Sequence, residues 1–296
     1  MATVGMIGLG QIGLPLAQSL IAAGHSVVGY RRGDKSELVA LGGIAGNTAR
    51  AVAEKCHIIL SCLPDAAALE AVVSGQDGIA SGPCNGRVVV ELSTVAVEAK
   101  ERQAAALQAR GARMLDGAIS GVPRMVRERQ GVIYISGALD DYQTVKPVLD
   151  AVSFKVLHFG AFGNATKAKL TTNMLVGLHI LAAAEAMVFG LKAGLPADLL
   201  VDAIKDGAGS SLQFRVRAPV MAARTWDTVM GSTSMLMKDL KLISEVGERL
   251  GCPLPLHTAA ERIYQAAMQS GYAETDVASV FAIVAERAGI TAQQSG

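Results

Sequence analysis

Near the start of the chain, the apolar run Thr3-Val4-Gly5-Met6-Ile7 leads straight into Gly8-Leu9-Gly10-Gln11-Ile12-Gly13. A strand-like run that ends in G-x-G-x-x-G and opens a helix leaves few folds open, because each glycine meets a separate steric demand. Gly8 allows a tight turn, Gly10 lets the backbone approach a pyrophosphate, and Gly13 lets the helix pack closely on the strand. Leu9, Gln11 and Ile12 complete the turn, at a helix N-terminus whose N–H groups and positive dipole end favour an anion. Spaced glycines alone would mean little in a chain with 32 of them. Here the flanks agree. Leu14, Leu16, Ala17, Leu20 and Ile21 recur at helical spacing, Gly24 stops the helix, and Ser26–Tyr30 reads as a second strand. The segment is expected to be the first βαβ unit of a dinucleotide-binding domain.

The end of that second strand bears on the cofactor. An acidic residue about 20 residues beyond the glycines would hold the ribose hydroxyl of NAD. This chain has Tyr30-Arg31-Arg32-Gly33 instead. The planar forks of Arg31 and Arg32 suit the 2′-phosphate of NADP. A solvated basic turn is the alternative, and nearby Asp34 keeps NAD open. NADP is the expected cofactor, with NAD possible.

At 296 residues the chain fits two domains better than one. Lys and Arg total 27 against 26 Asp and Glu, which gives no reason to expect nucleic acid or a membrane surface as a partner. Cys56, Cys62, Cys84 and Cys252 have no C-x-x-C spacing and suggest free thiols in a reducing cytoplasm. The histidines have no metal-ligand spacing, so no metal is expected. Short apolar runs at Ile58–Leu63, Val88–Leu92, Arg113–Asp116, Gly131–Ser136 and Lys155–Phe159 alternate with helical patterns. They predict an α/β fold with an N-terminal Rossmann-type, doubly wound, mostly parallel sheet. Leu63-Pro64, Ser93-Thr94 and the stretch from Asp116 to Ser120 are expected to line one crevice at the carboxyl ends of its strands.

After Gly163 the strand pattern stops. Asn164 is the expected N-cap of a helix running to Ala193, about 45 Å at 1.5 Å per residue. Gly194 ends it, and Pro196 is expected at the first position of the next helix. The apolar stretch Met174–Phe189 is interrupted by His179 and Glu185 and is short of the ~20 residues that a bilayer requires. The expected domains are 1–162, binding NADP, and 163–296, all-helical, serving substrate and oligomerisation, with the long helix joining them. A homodimer or homotetramer is expected.

Lys169 and Asn173 lie four residues apart on one face of that helix, among Ala165, Ala168, Leu170 and Met174. Desolvation and a nearby cation would lower a lysine from about 10.4 toward the range of a general acid/base. Spacing alone equally allows Lys169 to extend to solvent with Lys167 beside it.

Taken together, Gly8–Gly13, Leu63-Pro64-Asp65, Glu91-Leu92-Ser93-Thr94, Asp116–Gly121, Lys169 with Asn173, and Lys238-Asp239 resemble the β-hydroxyacid dehydrogenases, relatives of 3-hydroxyisobutyrate dehydrogenase and tartronate semialdehyde reductase. The resemblance covers essentially the whole chain. It implies an active site in a cleft between a Rossmann domain and a helical domain. In that site Lys169 would be the general acid/base and Asn173 would orient substrate. Ser120 and the backbone of Gly121 would hold the substrate carboxylate. Thr94 would touch the nicotinamide end of the cofactor, and Lys238 would close over cofactor and substrate. Arg215 or Arg217 would approach substrate. The implied reaction interconverts a small, anionic 3-hydroxy acid and its semialdehyde or keto acid.

The loop after Ser120 departs from the family pattern. Ser-Gly-Gly is expected, but Ser120-Gly121 continues as Val122-Pro123-Arg124-Met125-Val126-Arg127. Arg124 and Arg127 either meet a second anionic group or are solvated, and the substrate's identity stays open. Leu115–Ile119 also resembles the imine reductases, although these generally lack the helix lysine. A cofactor-binding module without catalysis is a further alternative; it would be expected to have lost Lys169.

Overall fold

The computed structural model describes residues 1–290. Its contacts divide the chain into two compact units, Met1–Lys169 and the residues from Leu170 onward. Among the described residues the first unit holds eight strands: β1 (Thr3–Ile7), β2 (Ser26–Tyr30), β3 (Ile44–Ala45), β4 (Ile58–Ser61), β5 (Val88–Glu91), β6 (Arg113–Ser120), β7 (Val132–Ser136) and β8 (Lys155–His158). Helices α1 (Gly13–Ala22), α2 (Ser36–Ala40), α3 (Ala49–Lys55), α4 (Ala66–Val73), α5 (Val97–Gln108), α6 (Pro123–Arg127) and α7 (Leu139–Asp150) connect them.

The strands form one sheet in the order β3-β2-β1-β4-β5-β6-β7-β8. The chain reverses direction beside β1, which is the doubly wound arrangement that puts a ligand crevice at the strand ends. Val88, Val89 and Val90 are all buried, as expected of a strand covered on both faces. On one face Leu16 and Leu20 of α1 and Val145 and Leu149 of α7 pack on Val4, Met6 and Leu60. On the other, Val52 of α3, Leu69 of α4 and Leu107 of α5 pack on Val28, Ile59 and Val89.

The sheet is mostly parallel, as expected; among the described residues its one antiparallel pair is β6 with β7. One feature of the sheet departs from the sequence reading. β6 does not stop at Asp116 but continues to Ser120, pairing Gly117 with Ile135 and Ser120 with Val132. Gly117 resembles a turn residue, but packing requires it to be small. A Cβ on Gly117 would lie 2.8 Å from the Leu92 side chain and 3.1 Å from that of Ile135.

The second unit is helical throughout its described residues. It takes most of α8 (Asn164–Lys192), followed by α9 (Ala197–Lys205), α10 (Leu212–Ala223), α11 (Thr233–Leu250), α12 (Pro255–Gln269) and α13 (Val280–Arg287). Pro196 is extended and precedes α9 rather than opening it. Ile180, Ala184 and Met187 of α8 pack with Phe214, Met221, Leu240, Tyr264 and Phe281. At 29 residues, with an 18-residue window of mean hydropathy 1.9, α8 is long and apolar enough to cross a bilayer. The stretch Met174–Phe189, interrupted by His179 and Glu185, is only part of it. Within the bundle α8 is held by polar contacts as well: the Tyr264 hydroxyl donates to the Gly177 carbonyl at 2.8 Å.

Candidate active site

Strand register places the first part of the site. Ile7 lies level with Tyr30 and with Ser61, Ser61 with Glu91, and Glu91 with Asp116. The segments that begin at Gly8, Arg31, Cys62 and Leu92 therefore leave the sheet along one edge. At that edge the glycine turn is fixed by backbone crowding. Gly8 has φ +88° and would place a Cβ 2.1 Å from the Cys62 carbonyl oxygen. A Cβ on Gly13 would lie 1.8 Å from the Gly8 carbonyl oxygen. Gly10 differs from both, since a Cβ there meets nothing within 4 Å. Its conformation leaves open space where a ligand's phosphates would approach.

The helix start beside that space suits an anion. No side chain caps α1 and no acidic residue occupies its first turn. Gln11 is exposed and Ile12 half-buried, whereas the Leu9 side chain is buried and contributes through its backbone. The Leu9 carbonyl accepts a hydrogen bond of 3.0 Å from Arg31 Nη1. This bond aims one side of the Arg31 guanidinium at the turn; Glu37 lies 3.9 Å away and Arg32 is exposed. Asp34 is turned to its own loop. Its carboxylate accepts from the Ser36 backbone N–H at 3.0 Å and from the Ser36 hydroxyl, and these bonds hold the carboxyl below its ordinary range. The glycines, the uncapped helix and the arginine pair fit a dinucleotide phosphate cradle.

Leu63 and Thr94 are half-buried and Pro64 is exposed at the same edge. The Leu63 N–H donates to Ser93 Oγ at 2.6 Å, and the Ser93 N–H donates to Glu91 Oε1 at 2.8 Å. The Ser61 hydroxyl also donates to Glu91, whose side chain is wholly buried. One buried carboxylate thus shapes both strand-end turns. Asp65 caps α4 through the Ala68 N–H.

Lys169 lies in the second turn of α8 and is half-buried, while Lys167 is exposed and donates to Asn164 Oδ1 at 3.2 Å. Asn164 is the first residue of α8 rather than its cap; its side-chain amide donates to the Phe159 carbonyl. The caps come from the sheet. Asp116 Oδ2 accepts from the Thr166 N–H at 2.9 Å, Asp116 Oδ1 accepts from the Thr166 hydroxyl at 2.6 Å, and Ser136 Oγ accepts from the Ala165 N–H at 2.9 Å. Asp116 therefore does not line a crevice as the sequence reading expected; it is 0% exposed. Its partner is Lys100 of α5, also 0% exposed, whose Nζ lies 2.8 Å from Asp116 Oδ1. Burial pushes the Asp116 carboxyl up, but the Lys100 charge and the Lys100 and Thr166 hydrogen bonds outweigh it and hold the group below the usual carboxylate range. Lys100 carries no mark of burial in the sequence, because it begins the polar run Lys-Glu-Arg-Gln in the first half of α5.

Ser120 ends β6 four residues past the level of Asp116 and Glu91, about 13 Å along the strand at 3.3 Å per residue. Gly121 follows, and the unusual segment after it folds as the short helix α6. Val126 of α6 is buried, Arg124 is exposed with its Nε 2.8 Å from Glu128 Oε1, and Arg127 is exposed.

In the second unit Asn173 is buried, and its Nδ2 donates to Asp239 Oδ2 at 2.6 Å. Lys238 is 42% exposed, with Nζ 3.5 Å from Asp239 Oδ1. Asp239 thus fixes the Asn173 carboxamide; its only mark in the sequence is its place beside Lys238. Arg215 is exposed. Arg217 is buried in an ion pair with Asp276 and serves the packing of this unit. Among the described residues no cluster of His, Cys, Asp or Glu is placed to hold a metal.

This fold and its glycine turn define a dinucleotide-binding protein. Residues 3–160 match the NAD binding domain of 6-phosphogluconate dehydrogenase, and residues 163–284 match the family described as NAD-binding of NADP-dependent 3-hydroxyisobutyrate dehydrogenase. The chain is 31% identical over 283 residues to the L-threonate dehydrogenase of Cupriavidus necator, covering 95% of each. It is 29% identical to the NAD-dependent L-serine dehydrogenase of Pseudomonas aeruginosa, covering 95% of this chain and 97% of that one. The crystal structure of 3-hydroxyisobutyrate dehydrogenase from Salmonella typhimurium superposes with a TM-score of 0.88 at 30% identity, over 96% of this chain and 100% of that one. The chain belongs to the β-hydroxyacid dehydrogenase family. It is an NAD(P)-dependent dehydrogenase that acts on a CH–OH group of a hydroxy acid.

Proposed function

We propose that the chain uses NADP(H) to interconvert a small 3-hydroxy acid and its semialdehyde or keto acid, with Lys169 as general acid/base. The observation that carries this reading is Lys169 itself: a half-buried lysine in the second turn of a helix whose start is bolted to the sheet. Residues 1–162 would bind the cofactor through Gly8–Gly13, Leu63, Pro64 and Thr94, and residues 163–296 would serve substrate and oligomerisation. The nicotinamide, when bound, supplies or accepts the hydride. Lys169 protonates the substrate's carbonyl oxygen on reduction and takes the hydroxyl proton on oxidation. The Ser120 hydroxyl and the Gly121 N–H receive the carboxylate, Asn173 orients the substrate from its tie to Asp239, and Lys238 adds positive charge toward an anionic ligand.

NADP is favoured over NAD by Arg31 and Arg32, and by an Asp34 carboxylate already engaged with Ser36. A homodimer or homotetramer would cover apolar side chains that the second unit leaves exposed, Phe189 at 77% the largest on α8. Four cysteines without a disulfide fit a cytoplasmic setting. The test is a panel of 3-hydroxy acids, with L-threonate, L-serine and 3-hydroxyisobutyrate first, beside semialdehydes and cyclic imines, followed by nicotinamide absorbance with NADP(H) and NAD(H). Turnover of a 3-hydroxy acid with NADP+, and loss of the NADP preference in Arg31→Ala or Arg32→Ala, supports the reading. Turnover of cyclic imines alone, or unchanged cofactor discrimination in both variants, contradicts it.

A further inference from the structure

We propose that the buried Lys100–Asp116 pair is a positioning device for Lys169, locking the first turn of α8 to the strand end that carries Thr94. This rests on the reading of Lys169 as the general acid/base. Folding alone gives little reason for the pair. Taking an ammonium and a carboxylate fully out of water is costly, and apolar side chains of similar volume often stabilise a core as well or better. Both groups are 0% exposed, and their polar atoms are well supplied with partners. Lys100 Nζ reaches Asp116 Oδ1 at 2.8 Å, the Gly117 carbonyl at 2.8 Å and the Glu91 carbonyl at 3.3 Å. Asp116 in turn accepts from the Thr166 N–H, the Thr166 hydroxyl and the Ser136 hydroxyl.

Those contacts join two places that the reaction needs in fixed relation. Asp116 and Ser136 together satisfy the N–H groups of Ala165 and Thr166, donors that a helix start leaves without intrahelical partners. The negative charge there also complements the positive end of α8. Lys169 follows Thr166 by three residues, less than one turn, so a tilt of that turn carries directly to its side chain. On the other side, Lys100 grips the carbonyl of Glu91, whose carboxylate holds the Ser93 N–H next to Thr94. A single ammonium therefore ties the acid/base helix to the strand end expected to face the nicotinamide.

The test compares Thr166→Val, Thr166→Ser, Ser136→Ala, Asp116→Asn and Lys169→Ala with the full-length parent. Readouts are kcat at saturation, its pH profile, Kd for NADPH and the thermal midpoint. Thr166→Val removes one hydroxyl bond and keeps the volume. It and Ser136→Ala are expected to fold and to bind NADPH within about twofold of the parent. Their kcat should fall by about 10- to 100-fold, the scale of an acid/base displaced by up to an ångström, with a shifted limb in the pH profile. Thr166→Ser should restore both. Asp116→Asn should be at least as slow; if it does not fold, the Thr166 and Ser136 variants decide. Parental kcat and pH profile in Thr166→Val and Ser136→Ala would overturn the proposal, as would a Thr166→Ser variant as slow as Thr166→Val. Retained turnover in Lys169→Ala would overturn the acid/base reading beneath it. An inactive Lys169→Ala beside a fully active Thr166→Val would overturn the positioning role alone.

Discussion

The turn from Gly8 to Gly13 and the segment from Ser120 to Arg127 both follow strands of the same sheet, yet they are determined by different forces. In the first, backbone atoms fix the sequence: a Cβ on Gly8 or Gly13 would collide with a carbonyl oxygen at 2.1 or 1.8 Å. In the second, crowding is mild. A Cβ on Gly121 would meet the Gly131 Cα at 3.2 Å, and most of α6 other than Val126 is at least partly exposed. A region set by backbone sterics tolerates little substitution. A region set by side chains can vary, and here Val122 stands where the family pattern has a second glycine.

That contrast is open to a graded set of substitutions. The largest effect is expected for Gly13→Ala and Gly8→Ala. Each forces backbone to move and should cost at or above the upper end of the ~1–3 kcal/mol typical of overpacking, read as a drop in thermal midpoint together with lost NADPH binding. Gly10→Ala should separate stability from binding: with nothing within 4 Å of the new methyl, the midpoint stays near that of the parent while NADPH binds roughly tenfold or more weakly. If Gly10→Ala instead unfolds the protein and binding tracks stability, the open space at Gly10 is not a ligand cradle. The smallest effects are expected in the exposed loop. Arg124→Ala and Arg127→Ala should leave midpoint and NADPH affinity unchanged and move substrate KM by less than about fivefold, by amounts that differ among substrates. A uniform loss of NADPH affinity in these variants would erase the distinction between the two regions.

The same division explains what was legible in the sequence. The glycine turn, the alternating elements and the helix bearing Lys169 and Asn173 were readable because periodicity and backbone sterics act over a few neighbouring residues. The extension of β6 through Gly117 and Ala118 was not. Gly117 answers to Leu92 and Ile135, which are distant in sequence, and reads locally as a turn. Asn164 has the chemistry of an N-cap, but α8 is capped by Asp116 and Ser136, 50 and 29 residues away from their backbone partners. Lys100 begins the charged run of α5, Lys-Glu-Arg-Gln, where a lysine reads as solvated. Asp239 is marked in the sequence only by its neighbour Lys238, and its hold on Asn173 spans 66 residues. Short-range patterns show where chemistry can occur. The long-range polar contacts that aim it become visible only in three dimensions.

Single-turnover reduction by Lys169→Ala, loaded with NADPH and mixed with a semialdehyde turned over by the parent, tests the central claim most directly. The account predicts NADPH affinity close to that of the parent and hydride transfer slowed by more than ~100-fold, the scale of a positioned acid/base. Transfer at the parental rate with NADPH fully bound would contradict it and remove Lys169 from the chemistry.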